Sequence, residues 1–316
     1  MDKSYDPHPE TERWAAVDRY RTANHDVVRY VFEPRHAKGL AEGVIRSIAI
    51  MAHEGEVVTR QICISSQLGC AVKCSFCNYG EKFYGQLSAD EIFAQAAIIK
   101  AEDEISRESD FPVEFAFFGG GEPLHNFSAV AESIRRLHAW NPEARITLST
   151  SCPKRNNRVY EQLNELGQEV SRLELQLSCH ASDAEARREI IPTPTLTPAE
   201  IAALGERWLT VTGRRPELAF AALDHYGTAE WAETQAQALR ACFEPDCWHL
   251  KITPVFPTGD TVAMDREAVD RAERLFRSAK LAGFSRATLY NPEHGWEIGA
   301  NCGQFPDFRN YVANAC

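Results

Sequence analysis

From residue 61 onward, short apolar runs alternate with longer amphipathic stretches. The runs at 61–65, 113–118, 145–149, 172–178, 217–223 and 249–253 are rich in β-branched residues, Leu or Phe and predict strands, with a further short one at 285–290. Between them, 88–104, 127–140, 158–166, 183–189, 198–212, 229–242 and 265–281 repeat their apolar residues at helical spacing. Ser88-Ala89-Asp90-Glu91 fits a capping box, and Thr197-Pro198 puts proline at a first helical position. Such alternation implies βα units around a parallel sheet. Six consecutive units favour an α/β fold of the partial (β/α)6 TIM-type barrel kind over an open doubly wound sheet. In either case a site belongs at the C-terminal ends of the strands. Upstream, 44–51 and 56–65 predict a hairpin turning at His53-Glu54-Gly55, and 10–20 predicts a short helix. The expected organisation is an N-terminal extension (1–60) with helix and hairpin, a barrel (61–290), and a C-terminal tail (291–316).

Composition adds limits. A chain of 316 residues with 44% hydrophobic residues suits one barrel with a sizeable core. No apolar run reaches membrane-spanning length, and Met1-Asp2-Lys3-Ser4 lacks a signal-peptide pattern, so a cytoplasmic protein is expected. The net charge of −11 argues against a nucleic-acid partner without excluding a local basic groove. Arg187-Arg188, Arg214-Arg215 and Lys154-Arg155 read as solvated surface pairs. Ten cysteines in a reducing compartment point to metal binding or catalysis before disulfides.

Three of those cysteines, Cys70, Cys74 and Cys77, follow the first core strand with spacing C-x3-C-x2-C. Three thiolates on one loop can wrap a soft metal site. A four-iron cluster normally takes four cysteines. Three leave one iron open to the amino and carboxylate groups of another molecule. A zinc site completed by a distant ligand, or three unrelated buried thiols, stay open as alternatives. After the second core strand comes Gly119-Gly120-Gly121-Glu122-Pro123, either a tight turn or a place where backbone approaches a ligand closely.

The cysteine spacing, with Phe76 just before the third cysteine, resembles the radical S-adenosylmethionine (SAM) superfamily signature. The glycine run resembles its G-G-E-P motif. The resemblance implies a 4Fe–4S cluster on Cys70, Cys74 and Cys77, with SAM bound near Gly121 and Glu122 and cleaved to a deoxyadenosyl radical. Two outlying segments are more specific. Cys63-Ile64-Ser65-Ser66-Gln67-Leu68-Gly69-Cys70 and Asn301-Cys302-Gly303-Gln304-Phe305 resemble the RNA adenine C2-methyltransferase family. So do Leu148-Ser149-Thr150-Ser151 and Leu177-Ser178-Cys179-His180, which imply Ser149, Ser151 and Ser178 as SAM contacts. The resemblance runs from about Gly43 to Phe305.

That family's chemistry assigns two catalytic cysteines. Cys302 accepts a methyl group from one SAM, a second SAM yields the radical that takes a hydrogen from it, and the carbon radical adds to an sp2 carbon. Cys63 then attacks the Cys302 sulfur, forming a disulfide and releasing product. An outside reductant resets the pair, and a flavodoxin- or ferredoxin-type protein would donate the electron to a monomeric enzyme. Cys152, Cys179, Cys242 and Cys247 read as core or strand-end residues, and Cys316 is terminal. The family's RNA-gripping N-terminal domain is expected to be absent or reduced, and Phe256 stands where the family has a SAM-facing asparagine. RNA adenine is the expected substrate. The alternatives are the same chemistry on a small-molecule or natural-product intermediate, a different radical SAM reaction, or a non-catalytic metal protein.

Overall fold

The computed structural model describes residues 16–22, 26–32, 45–54, 57–80, 82–103, 105–106, 110–223, 228–256 and 265–290. Seven parallel strands form its centre: β4 (Val57–Cys63), β7 (Val113–Phe117), β8 (Arg145–Thr150), β9 (Leu173–Ser178), β10 (Glu217–Ala222), β11 (His249–Pro254) and β12 (Thr288–Leu289), hydrogen-bonded in that order. The predicted barrel strands are all present, as an α/β fold with a mostly parallel sheet. Among the described residues seven α-helices connect or flank them: α1 (Ala89–Glu102), α2 (Phe127–Trp140), α3 (Asn157–Glu169), α4 (Ala184–Ile190), α5 (Pro198–Thr212), α6 (Ala229–Cys242) and α7 (Arg266–Leu281).

Local chemistry explains the helix ends. The predicted capping box forms, Ser88 with Glu91 on α1, and α5 opens with Pro198 as expected and with a second box, Thr197 with Glu200. Gly213 closes α5 in the left-handed conformation (φ 71°) that glycine takes without strain. The helices pack tightly enough that a Cβ on Gly167 or Gly205 would strike the buried rings of Trp208 and Trp248.

The N-terminal side departs from expectation. Residues 16–20 are not helix but part of β1 (Ala16–Arg21), paired antiparallel with β2 (Val27–Phe32). β2 pairs with β3 (Ile45–Glu54), and β3 with β4, so the sheet runs on through ten strands. Sheet pairing over this distance overrides the weak local helix pattern. The expected boundary at residue 60 falls inside β4. A small hairpin, β5 (Gln67–Gly69) with β6 (Phe83–Gln86), flanks the cysteine loop. Among the described residues no helix is long and apolar enough to cross a membrane.

Candidate functional site

Five segments end at one place. A cavity of about 230 Å³ lies at the C-terminal ends of the strands. Cys63 reaches it from the end of β4, and Cys70, Cys74 and Cys77 from the loop that follows. Gly121 and Glu122 come from the loop after β7, Ser149 from β8 and Ser151 just past its end, and Ser178 from β9. These are all the expected site residues except Cys302, which lies outside the described residues, as does Cys316.

The cysteine loop is held from both sides. Cys70 N–H donates to Lys82 O (3.1 Å), Ser75 N–H to Ile190 O (2.9 Å), and Thr193 Oγ1 to Val72 O (2.6 Å). Lys73 within it takes a left-handed backbone (φ 59°), which costs a non-glycine residue about 1 kcal/mol. Burial pushes the Cys70 thiol up to about 12, with Glu122 and Cys77 adding to the shift against backbone hydrogen bonds from Val72 and Lys73. Three thiols on one short loop are a soft donor set suited to iron or zinc. Among the described residues, no three Cys, His, Asp or Glu side chains are gathered as a single bound metal ion needs. All three cysteines line the cavity.

The glycine loop is fitted closely to the protein around it. A Cβ on Gly119 would strike the Ile64 carbonyl, one on Gly120 the Tyr79 ring, and one on Gly121 (φ 97°) the Gln67 side chain. The Ser65-Ser66-Gln67 segment braces this loop. Gly120 N–H donates to Ser65 Oγ (2.7 Å), Ser66 N–H to Gly120 O (2.8 Å), and Glu122 N–H to Gln67 Oε1 (2.8 Å). Glu122 is buried, and four donors fill its carboxylate: Leu124 N–H (3.0 Å) and Thr150 Oγ1 (2.6 Å) on Oε1, Ser151 N–H (2.7 Å) and Ser151 Oγ (2.6 Å) on Oε2. Its acceptor capacity is therefore spent on orienting the β8 loop.

On β8 and β9, Ser149 Oγ lies 3.5 Å from Ser178 Oγ and accepts from Gln176 Nε2 (2.8 Å). His180 follows in a left-handed conformation (φ 62°), and its Nδ1 accepts from Ala221 N–H (3.0 Å). Burial, with the nearby Arg187 charge, drives the His180 pKa down to about 3, so the ring is neutral. Cys63 is buried against Ile48, Ile50 and Tyr79, its Sγ 3.6 Å from Gln61 Oε1. Opposite, buried Lys251 places its Nζ 4.8 Å from the Tyr290 ring centroid and 5.3 Å from that of Phe118. Gln176, His180 and Lys251 were missed as site residues. Only His180 carried a signal, its place beside Ser178 in the matching segment. Phe256 is buried but does not line the cavity. Arg187 corrects the expectation of a solvated pair: it is 1% exposed, although Arg188 beside it is exposed. Arg214 departs likewise, donating to Leu173 O (2.8 Å) and Gly167 O.

Three thiols, a braced glycine loop and paired serines thus surround one cavity. Residues 64–204 match the model of the Radical SAM superfamily. The chain carries a radical SAM domain. Radical SAM proteins use a 4Fe–4S cluster and SAM. The chain is similar to the "Probable dual-specificity RNA methyltransferase RlmN" of Frankia alni, 30% identical over 270 residues, covering 84% of this chain and 62% of the relative. It is also similar to the "Ribosomal RNA large subunit methyltransferase N" of Nitrosopumilus maritimus, 28% identical over 251 residues, covering 77% and 67% of the two chains. The chain thus spans less than two thirds of the Frankia relative. Among solved structures, a radical SAM methyltransferase from Sphaerobacter thermophilus superposes with a TM-score of 0.70 at 25% identity, over 92% of this chain and 80% of that one. The fold is shared more distantly by Streptococcus suis SuiB, solved with S-adenosylmethionine bound (TM-score 0.51, 12% identity, 74% of this chain and 51% of that one).

Proposed function

We propose that this chain is a radical SAM methyltransferase acting on RNA, with adenine C2 as the methylated carbon. The observation that carries this reading is the convergence on one cavity of Cys63, the three-cysteine loop, the Gly121–Glu122 turn and the three strand-end serines. The RNA methyltransferase relatives support the substrate class.

When bound, the cluster and SAM supply a carbon-centred radical and a methyl group. Cys70, Cys74 and Cys77 hold the cluster through their sulfurs. Ser149, Ser151, Ser178 and the Gly121 backbone border SAM, and Glu122 fixes Ser151 rather than contacting the ligand freely. Cys302 carries the methyl group as a thioether. Cys63 waits in the apolar wall beside the cysteine loop and releases product by attacking the Cys302 sulfur. An external flavodoxin- or ferredoxin-type protein donates the electron, and a thiol reductant reopens the disulfide.

Two measurements test this together. Peptide mass analysis of protein made in cells should find one added methyl on Cys302, and an unmodified Cys302 in cluster-loaded, active enzyme contradicts the carrier role. RNA affinity should fall with salt, log K losing about 0.7 to 0.9 per phosphate contact for each tenfold rise in salt. Absence of RNA binding at low salt, with Cys302 methylated, would redirect the same chemistry to a small molecule, as the −11 charge also favours.

A further inference from the structure

We propose that Arg187 is a positioning residue for SAM, tying the ends of β8 and β9 into the one conformation that borders the ligand. This rests on the reading that Ser151 and Ser178 line the SAM site. Arg187 lies on α4 behind the cavity wall and is 1% exposed. Its Nη2 donates to Ser151 O (2.7 Å), its Nη1 to Ser178 O (2.9 Å) and to Cys179 O, and its Nε to Leu196 O (2.8 Å). The four acceptors come from three separate stretches of chain, and all are neutral carbonyls. Among the described residues no carboxylate forms an ion pair with this guanidinium.

A buried cation without an acid partner is costly, and an apolar side chain would fill such a space with less penalty. What an apolar side chain cannot do is hold four carbonyls at fixed angles. Arginine's rigid fork of five donors can, and lysine's single ammonium cannot. Two of the carbonyls begin strained turns. Ser151 O precedes Cys152 (φ 56°), and Cys179 O precedes His180 (φ 62°). Each residue is one of the few non-glycine positions in the left-handed region, and each follows a peptide plane whose oxygen Arg187 holds. Arg187 therefore selects the backbone conformation on both sides of the paired Ser149 and Ser178 hydroxyls.

The test is SAM affinity, by equilibrium dialysis on anaerobically reconstituted protein, beside iron content and thermal midpoint. Arg187→Lys should lower SAM affinity at least tenfold with iron content unchanged. Arg187→Ala should do the same, and millimolar guanidinium ion, but not methylammonium, should restore binding. Arg188→Gln should match wild type. A purely structural role would lower the thermal midpoint of Arg187→Lys while its folded fraction bound SAM within twofold of wild type, and that result overturns the proposal. If Arg187→Ala fails to fold, the lysine variant decides. Wild-type protein that loads iron but binds no SAM overturns both this proposal and the reading beneath it.

Discussion

The two ends of the parallel sheet use opposite chemistry. At the N-terminal ends of β8 to β12, a cavity of about 650 Å³ is lined by Arg145, Arg214, Arg215, Lys280, Arg286, Glu174, Glu217 and His249. The charges there are largely consumed locally. Arg145 pairs with buried Glu114 (2.7 Å), Arg215 donates to Asp246 O (2.9 Å), and Lys280 to Ser285 O (2.5 Å). At the C-terminal ends lie thiols, a neutral histidine and a saturated carboxylate. All three non-glycine left-handed residues of the described chain, Lys73, Cys152 and His180, are also there. Backbone strain collects where a surrounding framework over-determines it, which is commonly a functional site. The lower end spends its charges on local contacts, and the upper end holds an unfavourable backbone in place.

The largest expected effect separates the ends outright. Cys70→Ala, Cys74→Ala or Cys77→Ala should abolish iron incorporation, measured by iron and sulfide content, with the far-ultraviolet circular dichroism unchanged. Arg145→Leu at the lower end should load iron normally but lose about 1–3 kcal/mol in urea unfolding, because buried Glu114 loses a charged donor. Iron loss in Arg145→Leu would dissolve the division.

Next is Gly120→Ala. The added methyl meets the Tyr79 ring, which packs beside Cys63, Cys70 and Cys77. Overpacking there should cost about 1–3 kcal/mol by denaturant midpoint. A stability equal to wild type would mean that the glycine loop is not braced as described.

The smaller effects are pH dependences of opposite sign. His180 titrates at about 3 in the fold against an ordinary 6.5, because of burial and then Arg187. The unfolded chain takes up the proton first, so stability is full above about 6.5 and is lost as pH falls toward 3. His180→Asn should flatten that acid limb. At the lower end, burial raises Glu174 from 4.5 to about 7, with Glu217 adding and Arg214 opposing. The unfolded chain ionises first, so stability is lost as pH rises from about 4.5 to 7, and Glu174→Gln should remove that slope. Unfolding titrations from pH 4 to 8 check both, and a Glu174→Gln profile parallel to wild type would contradict the second.

Much of this was legible in the sequence, for identifiable reasons. The helices announce themselves by spacing and by caps such as Ser88 and Thr197, and the core strands by their apolar runs. β1, β2 and the β5–β6 hairpin did not, because their stability comes from partners distant in sequence and β2 is buried along its whole length, with no alternation to see. The cysteine loop and glycine turn were visible because several residues of one chemistry fall close together. Gln176 and Lys251 are single residues that only the assembled sheet brings to the cavity, and Arg187 is a single residue that only the packing of α4 puts behind its wall. Arg187 was misplaced because a doublet with exposed Arg188 looks like surface charge, while α4 turns one arginine outward and the other in.

The most direct test concerns the three thiols and the cavity they border. Protein purified and reconstituted without oxygen, then reduced, should be brown, contain four irons per chain as expected for one 4Fe–4S cluster, and change its electron paramagnetic resonance spectrum on addition of SAM while releasing deoxyadenosine. Colourless protein holding zinc, or a cluster whose spectrum ignores SAM, would contradict the assignment of Cys70, Cys74 and Cys77 and of the cavity they share with Ser149 and Ser178.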